Sequence, residues 1–326
     1  MSAAHRVTRG RDDNAVQGVS PTGTKAVSGG REHVEQFLHD ELLESLPATY
    51  DRTALLNANL ATYVIHQDIA YQYTAPVRTL RQRLVILPRA QHGDQRRVGE
   101  RFCVYGVEGS STRRRTDRFG NLVLSIEVDD VPERIVFSAR SAVKRTRLAD
   151  GSGASRWTAA RLSVTRLTAP DAAIAASASP FRRLGDAGRL ADELAAFVRE
   201  RFSYAHDETT VRTTAAQAWA GRVGVCQDMA HVMISMCASL DVPARYVSGH
   251  MVGDGASHAW VEVFDAYTGM AIAVDPTHAR RTDLRYITTA VGRDYRDVAP
   301  TTGTYDSEGG TGRLTVRKRI RLAELL

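Results

Sequence analysis

Cysteine is scarce in this chain: Cys103, Cys226 and Cys237 are the only three among 326 residues. Three thiols build no disulfide framework, and they lack the close paired spacing of a zinc site, so the sequence points to a reducing compartment and to no metal. Long apolar runs are missing too. Nothing approaches the length of a membrane span and no apolar stretch follows Met1, so neither a membrane partner nor a standard secretory leader is expected, and the chain reads as cytoplasmic. Aromatic residues make up 7% of the chain and do not interleave with its basic clusters at Arg78 to Arg83, Arg113 to Arg115 and Arg317 to Arg321. The formal charge of +6 therefore reads as solvated arginine-bearing faces, and no nucleic acid is expected as a partner.

What is present is ordinary for a globular chain: 43% hydrophobic and 25% charged residues, over a length that suggests two domains. Residues 1–30 mix Ser, Thr, Gly and Asp with charges of both signs and no periodicity, the pattern of a disordered tail. Residues 31–60 read as a helical extension, in which Val34, Phe37, Leu38, Leu42 and Leu43 mark a short amphipathic helix from Glu32 to Leu46. From 61 to 168 the pattern alternates in the strand manner. Its runs are Tyr71 with Tyr73, Leu84 with Ile86, Phe102 to Val107, Leu122 to Val128, Ile135 to Val143 and Trp157 to Leu167, with turns at Phe119-Gly-Asn121 and Asp150-Gly-Ser-Gly153. An antiparallel β-sandwich follows, with Cys103 as a core residue. Residues 169–187, which open with the stretch Ala169 to Pro180 of small residues with prolines at both ends, read as a linker, 188–300 as a second domain, and 301–326 as a glycine-rich loop with a closing strand at Leu314-Thr-Val316.

The second domain is organised around Gly224-Val-Cys-Gln-Asp228. From Cys226 onward Met229, Val232, Met233, Met236, Cys237 and Leu240 recur at helical spacing, so the thiol begins a helix that packs on a core. There it meets unpaired backbone N–H groups and the positive end of the helix dipole, which favour a thiolate; a small apolar residue heading a core helix would leave the same pattern. Two strand-like segments follow, His258-Ala-Trp-Val-Glu-Val-Phe264 and Ala271-Ile-Ala-Val-Asp275, the second stopped by Pro276. With a hairpin loop over Asp265 to Thr268, Phe264 pairs with Gly269, and His258 lies directly opposite Asp275 on one face. A slip of one residue would separate them. A thiolate that attacks, an imidazole that takes its proton and returns it to the leaving amine, and a carboxylate that fixes the imidazole tautomer require these three residue types together.

These residues also carry a resemblance. Gly224 to Asp228 with Met229, Ala230 and His231, then Pro243 to Gly249, Ser257 to Val263 and Asp275-Pro-Thr277, resemble the successive motifs of the bacterial transglutaminase-like family, whose members share the papain-like cysteine fold. Gly292 to Val298 is similar to a segment near the end of that family's catalytic domain. Tyr71 to Val77, Leu84 to Arg89 and Asp117 to Asn121 resemble its N-terminal β-domain, so that roughly residues 65–300 are covered. The resemblance implies an α+β fold, a β-sandwich followed by a helix packed on an antiparallel sheet, with Cys226 as nucleophile, His258 as base and Asp275 as orienter. Met229 stands where phenylalanine is frequent and His278 where asparagine is expected; neither departure is expected to touch the three roles. The same scaffold hosts peptidases, amidases, cross-linking transferases and inactive relatives, so substrate is not implied.

The chemistry expected is attack by Cys226 on the carbonyl of a peptide, protein or small amide. Backbone N–H groups at the helix start hold the oxyanion, and the thioester is resolved by water or an amine, with no metal or organic cofactor required. Hydrolysis is favoured because water needs no acceptor site; an acyltransferase and a non-catalytic binding module are the alternatives. Trp219, Gln227 and Trp260 are the candidates for lining the substrate cleft, Trp219 reading equally as core. Cys237 lies far from the helix start and reads as structural. His231 sits roughly 140° around the helix from Cys226, and His250, the rival to His258, has no evident carboxylate opposite.

Overall fold

The computed structural model describes residues 51–147, 163–253 and 257–326. The tail at 1–30, the helix expected from Glu32 to Leu46, the turn at Asp150 and most of the Trp157 strand lie outside the described residues. A short helix α1 (Arg52–Asn57), capped by the Asp51 carboxylate, leads into a two-sheet sandwich. Its first sheet runs β16 (Gly312–Leu325), β1 (Leu60–Tyr73), β7 (Arg134–Thr146), β4 (Gln95–Tyr105) and β3 (Gln91–His92). The second runs β15 (Thr301–Asp306), β2 (Val77–Leu84), β6 (Leu122–Val131) and β5 (Ser111–Thr116), and all pairings are antiparallel.

The alternation in β1 explains how one strand serves two cores. Its odd-numbered side chains share a face, and strand twist turns that face along the strand's length. Ile69, Tyr71 and Tyr73 fill the sandwich with Leu80, Leu124 and Phe137. Ala61, Tyr63 and Ile65, at the other end, pack with Val252, Leu284 and Ile287 of the second domain. The segment 301–326 is a correction to the expected loop with one short strand: it forms two strands, and β16 pairs along the whole of β1. Its alternation is masked by Arg313, Arg317, Lys318, Arg319 and Arg321, charges suited to an edge strand. Strand β5, exposed throughout and carrying Arg113 to Arg115, is hidden in the sequence for the same reason.

The expected linker at 169–187 is also corrected. It holds helix α2 (Ala172–Ala178), capped by Asp171, whose Ile174 and Ala178 are buried in the second domain's core. Its small residues are good helix formers as well as linker residues. Helices α3 (Ala187–Arg201) and α4 (Ala215–Gly221) follow, and between them and beyond, β8 (Ser203–Tyr204) and β9 (Val223–Gly224) make a short parallel pair. Next comes α5 (Cys226–Ser239), buried on every side from Gln227 to Cys237, as befits a helix apolar nearly all round. It packs between the other helices and an antiparallel sheet ordered β13 (Arg280–Arg281), β12 (Met270–Asp275), β11 (Ser257–Asp265), β10 (Ala244–Met251) and β14 (Tyr286–Gly292). A short helix α6 (Tyr295–Val298) closes this domain before β15.

The sandwich seals that sheet's edge. Strand β14 is an edge strand, bulged opposite Ser248 and Gly249, and its outward peptide groups need partners when buried. Gln95 supplies them to Thr288, donating to its carbonyl at 2.7 Å and accepting from its N–H at 2.8 Å. Asn121, fully buried, does the same for Val291 at 2.8 and 2.9 Å. We expect Asn121→Ala, which strands both Val291 groups, to lower unfolding free energy by on the order of 2–4 kcal/mol in urea denaturation. A loss of a few tenths would show that the docking carries little energy.

Candidate active site

Cys226 is the first residue of α5. Strand β9 delivers it, and the turn between them is held by Asp228, which accepts from the Val225 N–H at 2.9 Å and from the Thr209 hydroxyl at 2.6 Å. A glycine is needed just before: a Cβ at Gly224 would lie 2.6 Å from the Asp228 carboxylate. The thiol is half-buried and hydrogen bonds to the His258 ring.

His258 and Asp275 meet, though not by the expected pairing. The hairpin loop is Ala266 to Gly269, with Asp265 paired to Met270, so the register runs two residues from the one predicted. Asp265 accepts from the Tyr267 N–H at 2.9 Å and Gly269 takes φ 69°, features that fix the longer strand. A shift of two keeps every side chain on its face. Asp275 thus becomes a diagonal neighbour of His258, and His258 Nε2 still meets Asp275 Oδ2 at 2.7 Å. With Nε2 so held, Nδ1 is left for the Cys226 sulfur.

The carboxylate is fully buried and fully employed. Oδ2 also accepts from the Tyr286 hydroxyl at 2.7 Å and meets His278 Nδ1 at 2.7 Å, while Oδ1 accepts from the Thr277 N–H at 2.8 Å. Arg280 Nε donates to the Tyr286 oxygen at 2.9 Å, which commits the tyrosine's own proton to Asp275. His278, expected to leave the three roles untouched, therefore contacts one of them directly. Its signal was present in the sequence as the one unexpected residue of the Asp275 motif.

Burial alone would depress the His258 pKa, but the hydrogen bonds and charges of Asp275 and Cys226 outweigh it and hold the ring up to about 10. Burial works against the Asp275 carboxylate too, and its bonds to His258 and His278 nevertheless keep it well below the usual range.

Trp260, fully buried, stacks on His258 at 6.3 Å between ring centroids and meets Tyr286 edge-on. It fits only because Gly249 lies beneath it, where a Cβ would come within 2.5 Å of the indole. Gln227 is buried beside Cys226. Trp219 is placed in the helical core, stacked on Phe197 and covered by the Arg222 guanidinium at 3.3 Å, so it is a packing residue and not a cleft wall. Burial pushes the Cys237 thiol up to about 12. His231 is buried, accepts from the Tyr295 N–H at 3.1 Å, and is driven by burial down to about 4. His250 meets Thr289 at 3.3 Å and faces Lys318. The network that sequence reasoning missed lies under Trp260: Glu262 receives His92 at 2.7 Å and Arg245 at 2.6 Å, all buried, and joins β3 of the sandwich to β10 and β11.

A thiol at the head of a buried helix, beside an antiparallel sheet that carries a histidine and an aspartate, is the arrangement of a papain-like cysteine fold. Known proteins narrow it. The transglutaminase-like superfamily core matches residues 178–276 and the bacterial transglutaminase-like N-terminal region matches residues 63–144, together more than half of the chain. The chain belongs to the bacterial transglutaminase-like family, and family and fold set it among transglutaminase-like enzymes. An uncharacterized protein of Mycobacterium leprae is 27% identical over 281 residues, 80% of this chain and 98% of that one. An uncharacterized protein of Mycobacterium tuberculosis is 34% identical over 125 residues, 34% of this chain and 40% of that one. Among solved structures, that of a candidate cysteine protease from Cytophaga hutchinsonii has the same fold, with a TM-score of 0.65 at 18% identity over 82% of this chain and 92% of that one. Among the described residues no helix is long and apolar enough to cross a membrane.

The pair's contribution to stability has a defined pH window. His258, raised from 6.5 to about 10, stabilises fully below 6.5 and loses that contribution as pH rises through 10; Asp275, lowered from 3.8, stabilises above that value and loses it on acidification. Urea unfolding at fixed pH should show Asp275→Asn most destabilised between about pH 4 and 6.5, the gap narrowing toward pH 10. A gap that is flat with pH would contradict the ionised pair.

Proposed function

We propose that this chain is a cysteine-dependent hydrolase of amide bonds, a transglutaminase-like peptidase or amidase. Cys226 is its nucleophile, His258 its acid and base, and Asp275 the group that orients His258. One observation carries the reading: a single imidazole is engaged by a thiol on one side and by a buried carboxylate on the other.

The thiolate adds to the substrate carbonyl. The N–H groups of Cys226 and Gln227, at the first two positions of α5, face the growing oxyanion. His258 Nδ1–H then passes its proton to the departing amine and a thioester remains; His258 takes a proton from water, and hydroxide character at that water cleaves the thioester and restores the thiol. An amine in place of water would make the protein an acyltransferase. Water is favoured because it needs no acceptor site of its own. The substrate is a peptide, a protein or a small amide, and a reducing compartment such as the cytoplasm keeps the thiol available. A non-catalytic module on the same fold has no use for the three groups in hydrogen-bonded contact.

The test is a screen of peptide and small amide substrates for amine release, with and without a labelled primary amine. Turnover should fall by more than about a thousandfold in Cys226→Ala, with little label incorporated by the wild type. Efficient incorporation would make it an acyltransferase, and turnover surviving in Cys226→Ala would remove the proposed nucleophile.

A further inference from the structure

His278 gives Asp275 a second imidazole. Its side chain is 34% exposed while Asp275 is fully buried, so it stands between the carboxylate and solvent. His258, Asp275 and His278 each offer one ligand atom, and those atoms lie within 4.8 Å of one another. Two imidazoles and a carboxylate are a donor set suited to zinc, with the fourth position open to water.

The surroundings are those of a supported metal ligand. Asp275 keeps two partners that would not ligate, the Tyr286 hydroxyl on Oδ2 and the Thr277 N–H on Oδ1, which fix the carboxylate's orientation. Arg280 fixes Tyr286 in turn. A tetrahedral ion at bond lengths of about 2.0–2.2 Å sets its ligand atoms about 3.3–3.6 Å apart, so the nitrogen–oxygen separations of 2.7 Å to both rings open by about 0.6–0.9 Å to admit it.

We propose that His258, Asp275 and His278 form an inhibitory site for a borderline divalent cation of the zinc type. The inhibitory consequence rests on the catalytic reading given above; the binding does not. The ion takes the place of the His258 Nε2 proton, which leaves to solvent, and His278 moves its own proton to the solvent side of its ring. His258 is then a neutral imidazole with its one proton on Nδ1, facing the sulfur. It can no longer accept the thiol proton, and Asp275 no longer supports a positive ring. Removal of the ion by a chelator restores both. An asparagine at position 278 would offer no imidazole, so the device is specific to chains with histidine there.

The experiment is titration of the full chain with zinc chloride against a chromophoric chelator, in the wild type, His278→Asn and Cys226→Ala, with circular dichroism to confirm folding. One ion per chain is expected at this site. Affinity should fall at least tenfold in His278→Asn and change less than threefold in Cys226→Ala. Unchanged affinity in His278→Asn, or loss of the ion in Cys226→Ala, overturns the site. Because binding is read without substrate, the two readings fail separately. Amide turnover that survives Cys226→Ala removes the catalytic assignment and leaves the ion site standing, whereas turnover lost in Cys226→Ala with zinc affinity unmoved in His278→Asn removes the ion site alone.

Discussion

A carboxylate with no exposed surface must be hydrogen bonded on every side or it cannot remain ionised, and Asp275 is such a group. Its four partners come from three places: the adjacent strand through His258, the turn after β12 through Thr277 and His278, and β14 through Tyr286. Meeting that demand fixes the hairpin register, the path of the turn after Pro276 and the seat of β14. It also sets the charge state of the imidazole that the Cys226 thiol meets, since the ring is held up to about 10 largely through this one contact and the thiol.

The sandwich is therefore part of the site's mechanics and not an appendage. Tyr286 bonds Asp275 through its hydroxyl, and its carbonyl is held by Arg145 of β7, a buried guanidinium that also grips Asp94 at 2.8 Å. Gln95 and Asn121 fix the same strand further along. Below Trp260, His92 reaches Glu262, whose carboxylate Arg245 and His92 hold well below its usual range against the effect of burial. Removing one partner from such buried groups costs on the order of 3–5 kcal/mol, whereas the intact networks contribute mainly to the uniqueness of the arrangement. Both long ends of β1 take part, one inside the sandwich and one against the second domain, which ties the halves into one packed body.

Much of this was legible in the sequence. The helical spacing after Cys226 and the aromatic, β-branched run after His258 gave the two elements that bring thiol and imidazole together, because both periodicities are strong. The hairpin survived a four-residue loop placed one residue too early, because the resulting register error of two residues preserves the face on which His258 and Asp275 lie. What was not legible had weak local pattern or none. Strands β5 and β16 are exposed and arginine-rich, so no alternation marks them. Helix α2 is built of small residues that suit a linker equally. Trp219 near a cysteine in sequence suggested a cleft, but the turn at Arg222, with φ 56°, sends it back into the helical core. The contacts of Gln95, Asn121, Arg145 and His92 span more than a hundred residues, and no short-range signal encodes them.

The central claim is that His258 activates Cys226. It is tested most directly by the rate at which iodoacetamide captures each thiol at neutral pH, followed residue by residue in the wild type and in His258→Ala. The account predicts that Cys226 reacts fastest, ahead of half-buried Cys103 and buried Cys237, and that His258→Ala slows Cys226 at least tenfold while leaving Cys103 unchanged. Equal rates at Cys226 in the two proteins would show that the imidazole does not act on the thiol, and the account would fail at its centre.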